Sequence, residues 1–434
     1  MFKTLVNALK DPAVRKKILW TLFILFIYRL GCYIPVPGLL KDSIAAAIGG
    51  GASLAGQNEL VGVISAVTGG AFSQGTLFAL GIIPFINASI IMQLLTMVIP
   101  AFERWSKEGE DGRKKISKAT RIASIILGAI QAVGVVLSWY NNNAVTDDMF
   151  GSTVITAIAI GVILVAGSAL CMWLGEKITQ LGVGNGTSLI IFVGILSTAG
   201  TALWQSIGNI ASDASNIWSL LIFLALVLVI FGVIVWMDLS ERRIPVQYAK
   251  QVKGNKMYGG QNTHIPIRVN ASGVMPIIFA SAILMLPRMI ASFCSTTSGF
   301  YIFMMGSTWA WISTVLTAVL IVFFAFFYAQ IQFNPDDIAR NIQQYGGTIV
   351  GVRPGKNTAD YLKKINNRIT LLGALFLALL SLVPSALFTA IDTTGLLSGA
   401  FTATGMLIVV SVALEFDKQL ESQLMMKHYK GFLK

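Results

Sequence analysis

The chain carries no charged side chain throughout LVGVISAVTGGAFSQGTLFALGIIPFINASIIMQLLTMVIPAF (60–102). It then carries seven Lys and Arg residues in the short stretch ERWSKEGEDGRKKISKATR (103–121). A helix that crosses the hydrocarbon core of a bilayer needs about 20 mostly apolar residues, and the uncharged stretch is about twice that length. It therefore predicts one membrane span together with a second, shorter segment that does not cross.

Uncharged stretches recur along the whole chain. An apolar run lies at 18–28, and the further stretches are 122–146, 153–175, 178–212, 214–237, 269–287, 289–335, 369–391 and 393–414. Each of them is long enough for one span. Only 12% of the residues are charged and 55% are hydrophobic, which excludes an ordinary soluble domain, where about a quarter of the residues are charged. The sequence predicts an all-α polytopic membrane protein with ten transmembrane helices.

Basic residues are distributed unequally between the connections of a ten-span chain. The connections on one side carry 29 of the 32 Lys and Arg residues, whereas the other side carries Lys41 and Arg288, with Arg29 near the end of the first span. Positively charged connections remain in the cytoplasm, so both termini are predicted to be cytoplasmic. The net charge of +12 also favours contact with anionic phospholipid and with a large anionic partner.

Five predicted spans lie on each side of residue 206. Because each half has an odd number of spans, the second half enters the membrane from the opposite side, which is the arrangement of an inverted repeat. We therefore predict an N-terminal half, 1–206, and a C-terminal half, 207–434. In inverted repeats the transport path usually lies between the halves near the middle of the bilayer.

The segment of the first stretch that does not cross is VGVISAVTGGAFSQG (61–75). It is weakly apolar and is interrupted by Gly69, Gly70 and Gly75, and the full span is predicted at 76–99. Lipid cannot satisfy the ends of a short helix, so such a helix exists at membrane depth only inside protein or beside water. The residues favour a re-entrant plug, and a loop on the outer membrane surface is the alternative.

Two basic connections, 238–271 and 332–368, are unusually long. In the first, RRIPVQYA (242–249) and HIPIRVN (264–270) alternate apolar and polar residues, and KGNKMYGG (253–260) provides turn residues between them. This pattern predicts a β-hairpin that stands outside the membrane. Two basic loops of this size exceed what a small-solute carrier needs to connect its helices.

The sequence contains no enzymatic or metal-binding pattern. The motifs HExxH and GxSxG and the phosphate-binding P-loop are absent, and the two histidines, His264 and His428, lie in predicted cytoplasmic segments. The three cysteines lie far apart, so neither a metal nor a cofactor is predicted. A ten-span secondary transporter and an intramembrane enzyme are the alternative functions. The transporter is disfavoured because ion-coupled carriers use ionisable groups within the membrane, which the predicted spans lack away from their ends, and because the basic loops are large. The enzyme is disfavoured because no nucleophile–base or metal set lies at membrane depth.

Seven segments of the chain carry a resemblance to a known family. They are RLGCYIPVPG (29–38), GIIPFINASIIMQLL (81–95), KEGEDGRKKI (107–116), GVGNGTSLIIF (182–192), ERRIPVQYAK (241–250), NASGVMPIIFASAI (270–283) and FNPDDIARNI…VGVRPG (333–355). On these motifs the chain resembles the SecY family, whose members form the channel of the bacterial protein-conducting translocon. The motifs occur in order over nearly the whole chain, which makes the resemblance specific.

The resemblance implies ten helices in two inverted five-helix halves around a central pore, with a plug and a side opening to lipid. It implies a channel that passes unfolded secretory polypeptides across the bacterial inner membrane and releases transmembrane segments laterally into lipid, without catalysis. Energy would come from a bound ribosome or from the motor ATPase SecA. The implied partners are SecE, SecG, SecA, the ribosome with its RNA near the basic loops, signal peptides and nascent polypeptides.

The resemblance also implies which side chains line and close the pore. The pore ring would consist of Ile82, Ile86, Thr187, Ile191, Ile278 and Ile408. The plug would include Val61, Val63, Ile64, Val67, Gly69 and Gly70. A collar of branched apolar side chains deforms around a passing chain and offers an ion no replacement for its hydration shell. The hydroxyl of one member, Thr187, departs from this apolar pattern.

Polar and basic residues form two further implied sites. The lateral gate would include Asn87, Gln93 and Gln131. Hydrogen bonds within the membrane are worth about 0.6 kcal/mol each, which is weak enough for a signal helix to open such a gate. The docking site for the ribosome and SecA would comprise Arg242, Arg243, Lys250, Arg353 and Lys356. Arginine suits this role because its planar fork pairs with phosphate or carboxylate.

Overall fold

Helices account for most of the chain. The computed structural model describes residues 6, 8–40, 65, 67–141, 144–146, 151–210, 216–248, 251–253, 256–258, 263–270, 273–292, 298–391 and 396–431. The helices are α1 (Pro12–Gly31), α2 (Ile83–Val98), α3 (Pro100–Lys107), α4 (Glu110–Asn141), α5 (Thr153–Leu181), α6 (Gly186–Ile210), α7 (Asn216–Leu239), α8 (Met275–Ser292), α9 (Gly299–Met305), α10 (Ser307–Gln332), α11 (Pro335–Gln344), α12 (Lys356–Ile391), α13 (Leu396–Ala400) and α14 (Ala403–Gly431). The strands are β1 (Glu241–Tyr248), β2 (Gln251–Lys253), β3 (Lys256–Tyr258), β4 (Thr263–Arg268) and β5 (Gly347–Ile349).

Ten helices in the described part of the chain have 16 residues or more, all of them except α3, α9, α11 and α13. They follow one another in the order of the ten predicted spans. Within the described residues, six helices are long and apolar enough to cross a membrane by length and composition, and α2 with α3 forms a seventh candidate if the bent pair is one span. The prediction of an all-α polytopic membrane protein is therefore confirmed.

The second span starts later than the sequence predicts. Residues 68–82 form turns around an isolated bridge between Thr76 and Pro35, and α2 begins only at Ile83 rather than at residue 76. Gly75 and Gly81 adopt positive φ angles of 59° and 53°, a conformation that interrupts a helix and that glycine adopts without a steric penalty. Pro84 then occupies the first turn of α2, where a missing N–H leaves no hydrogen bond unmade. Backbone conformation, rather than hydropathy, decides where this helix starts.

The described residues belong to two compact units. Unit 1 contains 1–224, 282–313 and 387–434, and unit 2 contains 225–281 and 314–386. In unit 1, α4 packs against α2 and α5, and α6 packs against α5 and α14. Trp139, Ile160 and Leu164 are among the buried side chains of one core cluster in this unit. The division into halves 1–206 and 207–434 stays a prediction.

Unit 2 includes a small body that we call the loop module: β1, β4, β5, α11 and the first four turns of α12. β1 pairs antiparallel with β4, from Glu241 opposite Arg268 to Val246 opposite Thr263, which confirms the predicted hairpin. β5 belongs to the other long connection and pairs with the opposite edge of β1. The buried core of the module consists of Ile244, Val246, Ile267, Ile342, Ile349, Leu362 and Ile369. The two long connections therefore fold as one body.

Candidate functional site

Two of the predicted pore-ring residues lie at the same level of the antiparallel pair formed by α6 and α14. A Cβ atom placed on Gly405 would lie 3.3 Å from Cγ2 of Ile195, and one placed on Gly184 would lie 3.4 Å from Cδ2 of Phe416. Residue 195 therefore lies opposite residue 405, and residue 184 lies opposite residue 416. In this antiparallel register Ile191 lies opposite residue 409, and thus at the level of the adjacent Ile408. Both isoleucine side chains are buried.

Two further ring residues meet at a glycine of α5. A Cβ atom placed on Gly175 would lie 3.4 Å from Cδ1 of Ile82 and 3.4 Å from Cγ2 of Thr187. The third neighbour of this position is Cδ1 of Ile190, also at 3.4 Å. A methyl group at Gly175 would therefore touch all three side chains, which shows that they converge on this glycine.

Thr187 uses its hydroxyl locally, within the first turn of α6. The hydroxyl donates to Oδ1 of Asn185 at 2.7 Å, and the Thr187 backbone N–H donates to the same oxygen at 3.1 Å. Asn185 thereby satisfies one of the free N–H groups at the start of α6. The hydroxyl is engaged in this cap, and it is the methyl group of Thr187 that lies 3.4 Å from the Cβ position of Gly175.

The other two ring residues are half-buried. Ile86 lies one turn after Ile82, in α2, and Ile278 lies in α8. Ile278 belongs to unit 2, whereas the other five belong to unit 1. The assignment of all six residues to a pore ring stays a prediction.

The predicted plug is described only in part. Val61, Val63 and Ile64 lie outside the described residues, and Val67 is half-buried. Gly69 and Gly70 have φ angles of 69° and 83°, so the chain reverses here in a conformation that favours glycine. The backbone N–H of Gly70 donates to the carbonyl oxygen of Ser65 at 2.7 Å. This end of the predicted plug is therefore a compact, hydrogen-bonded turn.

The three predicted gate residues differ in environment. Gln131 is buried in α4, Asn87 is half-buried in α2, and Gln93 is exposed on α2. Within the described residues no hydrogen bond joins Gln93 to Gln131. The structure thus separates a buried amide, which can hold neighbouring helices, from an exposed amide, which is free to meet another molecule.

Four of the predicted docking residues lie on the loop module with exposed side chains: Arg242, Arg243, Arg353 and Lys356. The fifth, Lys250, lies outside the described residues. Nε of Arg243 donates to Oε1 of Glu241 at 2.7 Å, and this hydrogen bond lowers the pKa of the Glu241 carboxyl below its usual value.

Arg353 is held at a rigid position that the sequence did not reveal. Its carbonyl oxygen accepts a hydrogen bond of 2.9 Å from the hydroxyl of the buried Thr358. The preceding residue, Val352, packs against the core of the module, and Gly355 follows with a φ of 95°. The backbone on both sides is therefore tied down, while the guanidinium projects into solvent. Thr358 has no sequence signal beyond its place in the first turn of α12.

Comparison with known proteins agrees with this architecture. A family model named SecY matches residues 76–416. The protein translocase subunit SecY of Streptomyces coelicolor is 40% identical over 447 residues, and the alignment covers 100% of both chains. The protein of the same name from Thermus thermophilus is 41% identical over 456 residues, covering 100% of this chain and 98% of that one.

Two solved structures share the fold. One, described as the structure of a protein conducting channel, has a TM-score of 0.65 at 20% identity and covers 95% of this chain and 93% of that chain. The other, Sec61 in the canine ribosome-channel complex from the endoplasmic reticulum, has a TM-score of 0.61 at 19% identity over 94% of this chain and 92% of that chain. By its family model and its full-length relatives, this chain belongs to the SecY family.

Proposed function

We propose that the chain is the channel subunit of a protein translocase and conducts unfolded secretory polypeptides across a membrane. The observation that carries this function is the similarity over the entire chain to relatives that are named protein translocase subunits. The likeness to a protein-conducting channel supports the same architecture. A channel moves its polypeptide without changing covalent bonds, so the chain itself is assigned no reaction.

The seal of the pore is assigned to the predicted ring. The level placement of Ile191 and Ile408, and the meeting of Ile82 with Thr187 at Gly175, support an apolar constriction. Branched apolar side chains present no fixed hydrogen-bond partner, so polypeptides of any sequence can pass between them. The same surface excludes hydrated ions when the channel rests. Ile86 and Ile278 join the ring by resemblance.

Lateral release of transmembrane segments is assigned to the border that spans two, three, seven and eight form in SecY-like chains, and α2 and α4 carry the predicted gate residues. The buried amide of Gln131 supports a role in holding this border closed, since a polar group in apolar surroundings needs a hydrogen-bond partner. The exposed amide of Gln93 is suited to contact an arriving signal peptide. We expect Gln131→Leu to shift the signal-sequence dependence of insertion, and Gln93→Leu to change it less.

Energy and partners are assigned from the family. A ribosome or the ATPase SecA would drive transport, and SecE and SecG would complete the membrane complex. The structural neighbour in the canine ribosome-channel complex supports a ribosome as a partner of the channel. The family and the asymmetry of basic residues support a bacterial inner membrane location with both termini in the cytoplasm.

Docking of the driving partner is assigned to the exposed arginines of the loop module. Arg353 is the strongest candidate for this contact because Thr358 and Val352 fix its backbone. A guanidinium on a rigid turn loses little conformational entropy when it binds phosphate or carboxylate. Lys356 begins α12, where the helix dipole disfavours a cation, so its charge serves a purpose other than helix stability.

The test uses proteoliposomes that contain the full-length chain, a SecE partner, SecA and ATP. The measured quantity is the fraction of a secretory precursor that becomes protected from external protease. We expect Arg353→Glu to abolish protection while the channel still inserts. The matched control is Arg340→Glu, which makes the same charge change at an exposed site on α11 of the same module and should retain most activity.

The outcomes of this test distinguish the docking assignment from the channel function. Protection that is lost only in the Arg353 variant supports both conduction and docking. Equal protection in both variants overturns the docking assignment and keeps the channel. No protection with the unmodified chain, despite correct insertion and active SecA, overturns the proposed function and favours a solute transporter, which uptake assays would then test.

A further inference from the structure

We propose that Arg29 is a latch that positions the turn at Gly69 and Gly70 in the resting channel. Arg29 lies at the end of α1, and no general rule of membrane topology explains its charge there, because the predicted exterior side carries few basic residues. The inference rests on the proposed function, since it concerns how the resting channel holds the described end of its plug.

The contact itself is short and charge-assisted. Nη1 of Arg29 donates to the carbonyl oxygen of Gly69 at 2.7 Å. Nη2 of the same guanidinium donates to the hydroxyl of Tyr33 at 2.9 Å, and its Cζ lies 4.8 Å from the centre of the Tyr33 ring. Tyr33, one turn along the chain, therefore holds the guanidinium from a second side and orients it towards the glycine. Hydrogen bonds from ionised donors are stronger than neutral ones.

Gly69 has no room for a side chain while Arg29 is in place. A Cβ atom on Gly69 would lie 2.9 Å from Nη1 of Arg29 and 3.1 Å from Cα of Gly194 in α6. The turn is thus held between a side chain of α1 and the backbone of α6. Gly69 has a φ of 69°, which other residues rarely adopt. Glycine is therefore required at this position both for its backbone conformation and for the lack of space for a side chain.

Backbone hydrogen bonds fix one part of this segment to α1, whereas side-chain contacts hold the other part. The chain after α1 is joined to the segment after the turn by two backbone hydrogen bonds, from Val36 N–H to the Gly75 carbonyl and from Leu77 N–H to the Ile34 carbonyl, each 3.0 Å long. These bonds anchor residues 75–77 to the end of α1. The turn at 68–70 is instead held to α1 by side chains: Arg29 donates to the Gly69 carbonyl, and the Tyr28 hydroxyl donates over a longer 3.5 Å to the Thr68 carbonyl. The shorter of these contacts, from Arg29, can be released without breaking a backbone pair.

The half-buried position of Arg29 makes this contact reversible. A guanidinium that leaves Gly69 at the end of a span can be hydrated, so release does not strand a charge in lipid. A buried carbonyl that loses its donor must find water or move. Breaking the latch therefore favours displacement of the turn, and the turn can return when the guanidinium rebinds.

The experiment measures ion conductance of the resting channel in planar bilayers that contain the full-length chain and a SecE partner. Arg29→Met keeps the side-chain length but removes every donor, and we expect resting conductance to rise roughly tenfold, as loss of one charge-assisted hydrogen bond predicts. Arg29→Lys keeps a donor and should restore most of the seal. The matched control is Arg15→Met, at an exposed position near the start of the same helix, which should not leak.

A second variant keeps the proposal testable if Arg29→Met fails to insert. Gly69→Ala leaves Arg29 unchanged but forces a methyl group against its guanidinium, and it should also leak. Precursor protection is measured in parallel on every variant. Conductance equal to that of the control in Gly69→Ala, and in Arg29→Met where it inserts, overturns the latch, even if precursor transport is normal. Failure of precursor transport in the unmodified chain instead overturns the proposed function, independently of the leak.

Discussion

Replacement of Leu362 by alanine tests whether the loop module is one cooperative body. Leu362 is fully buried in α12 and lies in the core that both long connections share. Burial of this kind makes Leu→Ala cost about 3 kcal/mol, the sum of lost transfer free energy and the cavity that remains. Because 1.4 kcal/mol corresponds to about a factor of ten, the equilibrium for local opening of the module should rise by about 100-fold.

Hydrogen exchange followed by mass spectrometry measures this opening. Amides of β1 and β4 should exchange about 100-fold faster in the variant, although the substitution lies in α12. If the module docks the driving partner as proposed, ribosome binding and SecA-driven transport should fall as well, since the turn that carries Arg353 is anchored in the same core. Exchange in the membrane-spanning part of α12 should not change, because the helix remains in the membrane.

The control is Leu372→Ala, on the same helix, at a side chain that is 62% exposed. It removes the same atoms without opening a cavity, and exchange in β1 should stay as in the unmodified chain. If Leu362→Ala and Leu372→Ala gave the same exchange in β1, the two connections would not share a core, and the account of the loop module would be wrong.

Three further substitutions test single contacts. Gly31→Ala places a methyl group against the ring of Phe78 and should cost about 1–3 kcal/mol by overpacking, seen as a lower midpoint of thermal unfolding in detergent. Thr21→Val removes the buried hydroxyl that accepts a 3.1 Å hydrogen bond from Val183 N–H and should cost about 1–3 kcal/mol, whereas Thr21→Ser should restore the midpoint. On the proposed docking role, Glu241→Gln frees the Arg243 guanidinium and should raise ribosome affinity about twofold at low salt. The Arg243 guanidinium lowers the pKa of Glu241. Lowering the pH through that pKa neutralises the carboxylate and releases Arg243, so the ribosome affinity of the unmodified chain should rise. The affinity of Glu241→Gln, which has no carboxylate at this position, should not change over the same pH range.

The amino-acid sequence determined the number of spans and the predicted direction in which they cross. Both depend on local composition: an uncharged stretch must span lipid, and basic connections remain on one side. The hairpin of β1 and β4 was also predictable, because alternation of apolar and polar residues with turn residues between them is a short-range pattern. The motifs of the SecY family were readable for the same reason, since each is continuous in the sequence.

Other features depend on residues that are distant in sequence, and only the tertiary structure decided them. Pairing of Val246 with Ile349 joins two connections into one module, and no local pattern specifies a register between strands so far apart. The convergence of Ile82 and Thr187 on Gly175 joins residues from three separate segments of the chain. The bond from Arg29 to Gly69 likewise depends on the backbone reversal of residues 68–82. Periodicity assigns residues to the faces of helices, whereas distances between such faces arise only when the chain is packed.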